Sequence, residues 1–316
     1  MARKVKISTI GFPYLPLDAS LPHSEIWDKM KEYLTKQIKQ VLPDRPDLIV
    51  LPEVCDLPDH HPPSLYDAFL NYRGNDNINF FGRIAKENHC NISFSTISRG
   101  NGDYFFNSTY LLNRNGSIAG VYDKYYVVPI EYSWNIRCGL QTPLIPLDFG
   151  KVACIICFDL NFDDLRDRYR DLKPDLIIFA SMFHGGLMQQ MWAQTCRAHF
   201  VGSIAHSRPS AILNPLGETL AYSTNDFNYA TATANLDCAT ICLRDKTQIG
   251  ELKKAYGPDG VTLFDPGNIG YHLLTSERDD VSVWEMIEKF GIMTYDEHLH
   301  NSRKLHNDPA NQGIRV

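Results

Sequence analysis

Val152-Ala153-Cys154-Ile155-Ile156-Cys157-Phe158-Asp159 is the stretch on which the reading of this chain turns. Its first five residues are apolar without alternation, the pattern of a strand covered on both faces. Leu160-Asn161 then leave the strand, and a helix is expected near 162–172. Pro174-Asp175-Leu176-Ile177-Ile178 opens a second apolar strand over 175–180. Strands mixed with helices on this rhythm describe an α/β domain.

The same rhythm extends in both directions. Residues 4–11 alternate as a strand, and Ser24 can cap the helix that follows. Ile26, Met30, Leu34, Ile38 and Val41 recur every three or four residues, giving that helix one buried stripe. Strands are expected at 47–51, 91–98, 105–112 and 117–122, with Asn113-Arg114-Asn115-Gly116 as the turn between the last two and a helix over 65–87. Beyond the opening stretch, a helix is expected at 187–200. Strands follow at 202–207, 210–214, 218–223 and 229–236, and a further strand near 144–148 precedes 151–157. From residue 276 the chain offers only a short amphipathic helix over 281–290 and a polar segment over 301–316. The expected division is therefore a main domain over 1–275 and a C-terminal extension over 276–316.

Three of the apolar runs deliver a reactive side chain. The run ending Leu51-Pro52-Glu53 supplies a carboxylate, and Pro52 blocks continuation of the strand. Lys124 lies among Tyr122, Tyr125, Tyr126, Val127 and Val128, which leave little water for an ammonium; Glu131 follows seven residues later. Cys157 stands where the strand gives way to a helix, whose N–H groups are expected to lower the thiol pKa. A thiol nucleophile, a carboxylate to move protons and a cation to steady an oxyanion are what amide hydrolysis through a thioester requires. Each has a plainer reading: a buried inert thiol, a solvated loop carboxylate, a surface lysine, and a Glu131 that merely pairs with Lys124 or Arg137. Cys154 and Cys157 also spell Cys-x-x-Cys. On a straight strand they point to opposite faces, and no second Cys/His pair at ligand spacing accompanies them, so a metal or redox role is not favoured.

Taken in order, these segments resemble the nitrilase superfamily of carbon–nitrogen hydrolases. The resemblance runs from about Val5 to about Asp237. It includes Phe106-Asn107-Ser108, Gly116, Gly120 and Asp123-Lys124 on the approach to the lysine. It continues through Trp192, Arg197-Ala198 and Asn214-Pro215-Leu216-Gly217-Glu218. The resemblance implies a four-layer α-β-β-α sandwich, which periodicity alone does not separate from a doubly wound sheet. It implies Glu53 as general base, Lys124 and the Phe158 backbone N–H as oxyanion donors, Cys157 as nucleophile and Glu131 as a second glutamate beside them. It also implies a homodimer or higher oligomer; the stretch after Ser276 has too little apolar content to fold alone, so part of 276–316 is expected to lie on the partner subunit. Met182, Phe183 and His184, at a strand-to-helix loop, are expected to line the substrate pocket.

Cys157-Phe158-Asp159 is similar to the amidase and carbamoylase branches rather than to the Cys-Trp-Glu-Asn of proper nitrilases. Two departures stand out. Asn161-Phe162-Asp163-Asp164 replaces the usual Phe-Pro-Glu, and Arg197-Ala198-His199-Phe200 replaces Arg-Ala-x-Glu-Asn. The expected function is hydrolysis of a small amide or ureido substrate without metal or cofactor. A nitrilase is the alternative, as is a catalytically silent binding protein on the same fold. Stoichiometric alkylation of Cys157, blocked by small amides, separates enzyme from silent protein.

Bulk properties set the remaining bounds. The 316 residues carry a net charge of −6, with 44% hydrophobic and 22% charged residues, the balance of a globular protein without a basic surface for nucleic acid or anionic membrane. The longest apolar runs, such as 153–158, are far shorter than the ~20 residues that span a bilayer. Met1-Ala2-Arg3-Lys4 is not followed by an apolar signal core, and the eight cysteines are scattered; both features lead to an expectation of a cytoplasmic protein with reduced thiols.

Overall fold

The computed structural model describes residues 1–58, 66–206, 209–243, 245 and 247–313. The chain divides into two compact units, Val5–Ala234 and a second formed by Met1–Lys4 with Asn235–Val316.

The larger unit is built on two six-stranded sheets. The first contains β1 (Lys4–Ile10), β2 (Leu48–Val50), β3 (Asn91–Arg99), β4 (Phe105–Leu112), β5 (Ile118–Asp123) and β12 (Tyr229–Asn235), in the order β12-β1-β2-β3-β4-β5. The second contains β6 (Ile145–Leu147), β7 (Gly150–Ile156), β8 (Leu176–Ser181), β9 (His199–Ile204), β10 (Ala211–Leu213) and β11 (Thr219–Tyr222), in the order β11-β10-β9-β8-β7-β6. Each has a parallel centre, β1-β2-β3 in one and β7-β8-β9 in the other, flanked by antiparallel strands.

Helices cover one face of each sheet because the apolar stripes require it. Ile26, Met30, Leu34 and Ile38 of α1 (His23–Lys39) and Phe81 of α3 (Asp76–Asn88) pack on Ile10, Ile49, Ile92 and Phe94. On the second sheet, Leu165 and Tyr169 of α5 (Asp163–Leu172) and Trp192 of α6 (Met188–Cys196) pack on Ile155, Ile177, Phe179 and Phe200. Each such side chain contributes about 1.5–3 kcal/mol by leaving water. The other faces meet: Thr9 Oγ1 donates to the Gly202 carbonyl at 2.9 Å, and Ser203 Oγ to that of Ile10 at 2.7 Å. The result is the expected α-β-β-α sandwich.

Local expectations are refined at several points. The first helix begins at His23 with Pro22 as its cap, so Ser24 lies inside it and makes no cap bond. The expected 65–87 helix is two, α2 (Tyr66–Arg73) and α3, interrupted at Gly74, whose φ of +52° a helix does not allow; residue 65 lies outside the described residues. The 187–200 helix stops at Cys196, because Arg197 turns left-handed at φ +55° and His199 already belongs to β9. The strand expected at 202–207 therefore starts three residues earlier, and residue 207 is outside the described residues. The Asn113–Gly116 turn is as expected, with Gly116 at φ +79° and its N–H on the Asn113 carbonyl at 2.8 Å.

The second unit is a four-stranded antiparallel sheet in the order β14-β15-β13-β16. Its strands are β13 (Cys238–Cys242), β14 (Val261–Phe264), β15 (His272–Ser276) and β16 (Met293–Thr294). Ile241, Leu252 of α7 (Thr247–Tyr256), Leu274 and Val283, Met286 and Ile287 of α8 (Val283–Phe290) form its core. The boundary expected at 275/276 thus falls inside β15, and the structural division lies at 234/235. The polar 301–316 segment contributes to α9 (Tyr295–His306), which contains no buried residue; residues 314–316 lie outside the described residues.

Candidate active site

The loops that follow β2, β5, β7 and β8 bring together Glu53, Lys124, Glu131 and Cys157. Leu51 N–H and Cys55 N–H bond the Ser93 and Ser95 carbonyls, and the Tyr14 hydroxyl donates to the Glu53 carbonyl at 2.7 Å. Val54, between these anchors, is held at φ +48°. A β-branched residue there costs about 1–3 kcal/mol, so the anchoring must be firm. It turns the Glu53 side chain inward, where 2% of the residue is exposed.

Lys124 leaves β5 with its N–H on the Asn107 carbonyl and its own carbonyl accepting from Gly139 N–H, both at 2.8 Å. Its ammonium, 1% exposed, contacts Glu53 Oε1 at 3.1 Å and Glu131 Oε2 at 2.9 Å. Burial alone would lower the Lys124 pKa, but Glu53 and Glu131 more than offset it and raise the pKa, so the ammonium stays charged. Glu131 sits in α4 (Pro129–Ser133), where its Oε2 also accepts from Val128 N–H at 2.7 Å. It therefore pairs with Lys124, one of the two cations the plainer reading allowed.

Asn107, on β4, completes the cluster. Its amide donates to Glu53 Oε1 at 2.8 Å and Glu131 Oε1 at 3.2 Å. The remaining oxygen of Glu53, Oε2, accepts from Met182 N–H at 3.1 Å. Glu53, carried by the first sheet, is thereby tied to the end of β8 in the second.

Cys157 opens a 3-10 turn (Cys157–Asn161) directly after β7 and is held at φ +46°. Asp159, fully buried, fixes this turn by accepting from Ile156 N–H at 2.9 Å, Tyr126 N–H at 2.7 Å and the Tyr122 hydroxyl at 2.7 Å. These bonds join the Cys157 turn to the segment around Lys124. The stacked rings of Tyr126 and Phe162, with centroids 3.6 Å apart, join them again. Trp192 Nε1 donates to the Leu160 carbonyl at 2.8 Å from behind.

The expected lowering of the thiol pKa is reversed. Burial and then the Glu53 carboxylate push the Cys157 thiol up to about 12, against a downward pull from the Lys124 ammonium and from the Ser181 hydroxyl and Met182 N–H. A one-turn 3-10 segment offers little dipole, and Cys157 is its first residue rather than a neighbour of α5. The resting cluster therefore holds a neutral thiol beside charged Lys124. Attack at neutral pH then requires the thiol proton to move as the bond forms.

Met182 is half-buried, and its N–H rather than its side chain contacts Glu53. His184 is also half-buried, its Nδ1 accepting from Gly186 N–H at 3.1 Å within its own loop, whereas Phe183 is 64% exposed. The sequence reading assigned no role to Asn107 or Asp159. The available signal was polarity: both are polar residues in or next to apolar runs, and buried polar groups need partners. Among the described residues, no group of three or more His, Cys, Asp or Glu is arranged to hold a metal ion.

Comparison with known proteins agrees with this architecture. A profile of the carbon–nitrogen hydrolase family matches residues 19–242. The chain is 29% identical over 162 residues to "Probable hydrolase YhcX" of Bacillus subtilis, covering 49% of this chain but only 31% of that protein. It is 22% identical over 257 residues to the hydrolase in the agr operon of Staphylococcus aureus, covering 74% of this chain and 92% of that one. Its fold is similar to that of an amidase from a Nesterenkonia species, with TM-score 0.61 and 13% identity over 73% of this chain and 90% of that one. That structure shows covalent addition of an acetamide moiety at its active-site cysteine. A carbon–nitrogen hydrolase from Helicobacter pylori is similar to the same degree, with TM-score 0.60 and 17% identity over 74% of this chain and 90% of that one. With the profile spanning most of the chain and the fold shared, this protein belongs to the carbon–nitrogen hydrolase family.

Proposed function

We propose that this protein hydrolyses the C–N bond of a small amide or N-carbamoyl compound through a thioester on Cys157. The observation that carries the reading is the buried Glu53–Lys124–Glu131 cluster, whose charges act on the Cys157 thiol.

In the first half-reaction the Cys157 sulfur attacks the carbonyl carbon while its proton passes to Glu53. Lys124 and the Phe158 N–H hold the oxyanion. A fixed donor of this kind is worth about 3–4 kcal/mol in the transition state. Glu53 then gives its proton to the departing nitrogen, the C–N bond breaks and the thioester remains. In the second half-reaction Glu53 takes a proton from water as it attacks the thioester. The acid leaves, and the proton returns to the Cys157 sulfur. Proton transfer by a positioned carboxylate contributes on the order of 10²–10⁴-fold. Met182, Phe183 and His184, on the loop whose backbone reaches Glu53, are the candidate contacts for the acyl group.

A nitrile would form a thioimidate and needs water to add before ammonia leaves, an additional demand on this site. Amides and ureido compounds should therefore release ammonia or amine at least ~100-fold faster than nitriles, about 2.7 kcal/mol in the barrier. EDTA should leave the rate unchanged. The test is a panel of amides, ureido acids and nitriles read by ammonia release, with Cys157→Ala as control. Near-normal hydrolysis by Cys157→Ala removes the thioester, and a nitrile that outruns every amide removes the branch assignment.

A further inference from the structure

We infer that Asn107 is a positioning residue that holds Glu53 and Glu131 together as carboxylates on the Lys124 ammonium, an inference that rests on the roles proposed for those groups. Two carboxylates share one ammonium here, and all three are almost wholly buried. Like charges held this close in a dry site drive one of the pair to take up a proton unless further donors stabilise both anions. The Asn107 NH2 has two protons and two acceptors, Glu53 Oε1 at 2.8 Å and Glu131 Oε1 at 3.2 Å. It supplies one bond to each carboxylate without adding charge. The amide cannot be turned over, because its oxygen would then face both carboxylates. As placed, that oxygen is buried and accepts no hydrogen bond among the described residues.

The same residue fixes the third member. The Asn107 carbonyl accepts the Lys124 N–H at 2.8 Å, so its main chain sets the lysine and its side chain the two glutamates. The titratable groups that face the Asn107 amide are Glu53 from the turn after β2, Lys124 from the end of β5 and Glu131 from α4, with Cys157 beyond Glu53. Asp123, the next carboxylate along β5, is bonded to Ser108 instead. A carboxylate at position 107 has nearly the same shape but adds a third negative charge and has no donor when ionised. Glu53 must be unprotonated to accept the thiol proton, and the Asn107 NH2 donates to that form.

The test compares Asn107→Leu and Asn107→Asp with the native enzyme. In both variants kcat should fall about tenfold to a hundredfold while KM changes by less than about threefold. Loss of two donors disfavours the anionic cluster, so kcat/KM on the acidic limb should fall about tenfold in Asn107→Leu, with the limb displaced to higher pH. The move should be larger in Asn107→Asp. Iodoacetamide alkylation of Cys157 reads the same cluster without turnover, and its pH dependence should shift in parallel. Where Asn107→Leu does not fold, Asn107→Ser, which keeps one donor, should show a smaller shift in the same direction. A lowered kcat with an unmoved acidic limb and an unmoved alkylation profile overturns the inference and leaves Asn107 merely structural. A native enzyme that turns over no amide, or an active Cys157→Ala, instead overturns the hydrolase reading, and the alkylation profile still decides the role of Asn107.

Discussion

Replacing Glu53 by glutamine should make Cys157 more acidic while removing turnover, with the thiol still above its ordinary range because it stays buried. The Met182 N–H donates to Glu53 Oε2 at 3.1 Å, and both that N–H and the Glu53 carboxylate act on the Cys157 thiol. A carboxylate and a thiol that one N–H influences together lie on the order of 6 Å apart. Two unit charges at about 6 Å and an effective dielectric constant of about 20 interact by about 3 kcal/mol, or about 2 pKa units. Burial, the larger cause of the raised thiol pKa, remains in the variant, and Lys124 keeps its bond to Glu131. The thiol should therefore titrate about 2 units below the native value of about 12, and its thiolate fraction at pH 8 should rise about 100-fold. Hydrolysis should fall by on the order of 10²–10⁴-fold with the loss of the base. The assay is the ultraviolet absorbance of the thiolate, taken as the difference from Cys157→Ala to remove the other seven cysteines, with ammonia release measured alongside. A thiol that titrates in Glu53→Gln at the native pH or above refutes the electrostatic account.

Two further outcomes are expected. Burial pushes the Asp159 carboxyl up to about 6 despite its three donors, above the ~3.9 of an unfolded aspartate, so its contribution to stability is fully present below about pH 4 and is lost as pH rises through about 6. The stability of the native protein relative to Asp159→Asn, from urea unfolding, should fall by roughly 2 kcal/mol between pH 4 and 7, and a relative stability that rises with pH contradicts the sign. The protein should be at least a homodimer, with part of 276–316 on the partner subunit; Trp284 is 56% exposed and α9 buries none of its residues, surfaces that a partner could cover. A mass of 36.0 kDa by light scattering at micromolar concentration excludes this.

The large unit was legible in the sequence where burial and period agree. The apolar run over 152–156, the stripe from Ile26 to Val41 and the Asn113–Gly116 turn each carry a local signal strong enough to fix their element. In the second unit only the amphipathic helix expected over 281–290, found as α8, was legible. Its strands pair β13 with β15 and β16 across intervals of some 30 to 50 residues, and its helices α7 and α9 have few apolar positions of their own. Cooperative packing makes that unit, and pairing over long intervals has no signature within a short window.

For the candidate site the division follows the same physics. Sequence alone offered Glu53, Lys124 and Cys157 as candidates, because they are chemical exceptions at the ends of apolar runs and because the runs occur together in the family's order. The tertiary structure decided what those side chains are. Burial and Glu53 keep the Cys157 thiol protonated where a helix terminus alone would have acidified it, and the bonds of Asp159 to Tyr126 and of Asn107 to Glu131 and Glu53 span 33, 24 and 54 residues of chain. The reason is that ionisation depends on the summed field and hydration at a point in space, and that sum exists only once the loops after β2, β5, β7 and β8 have met.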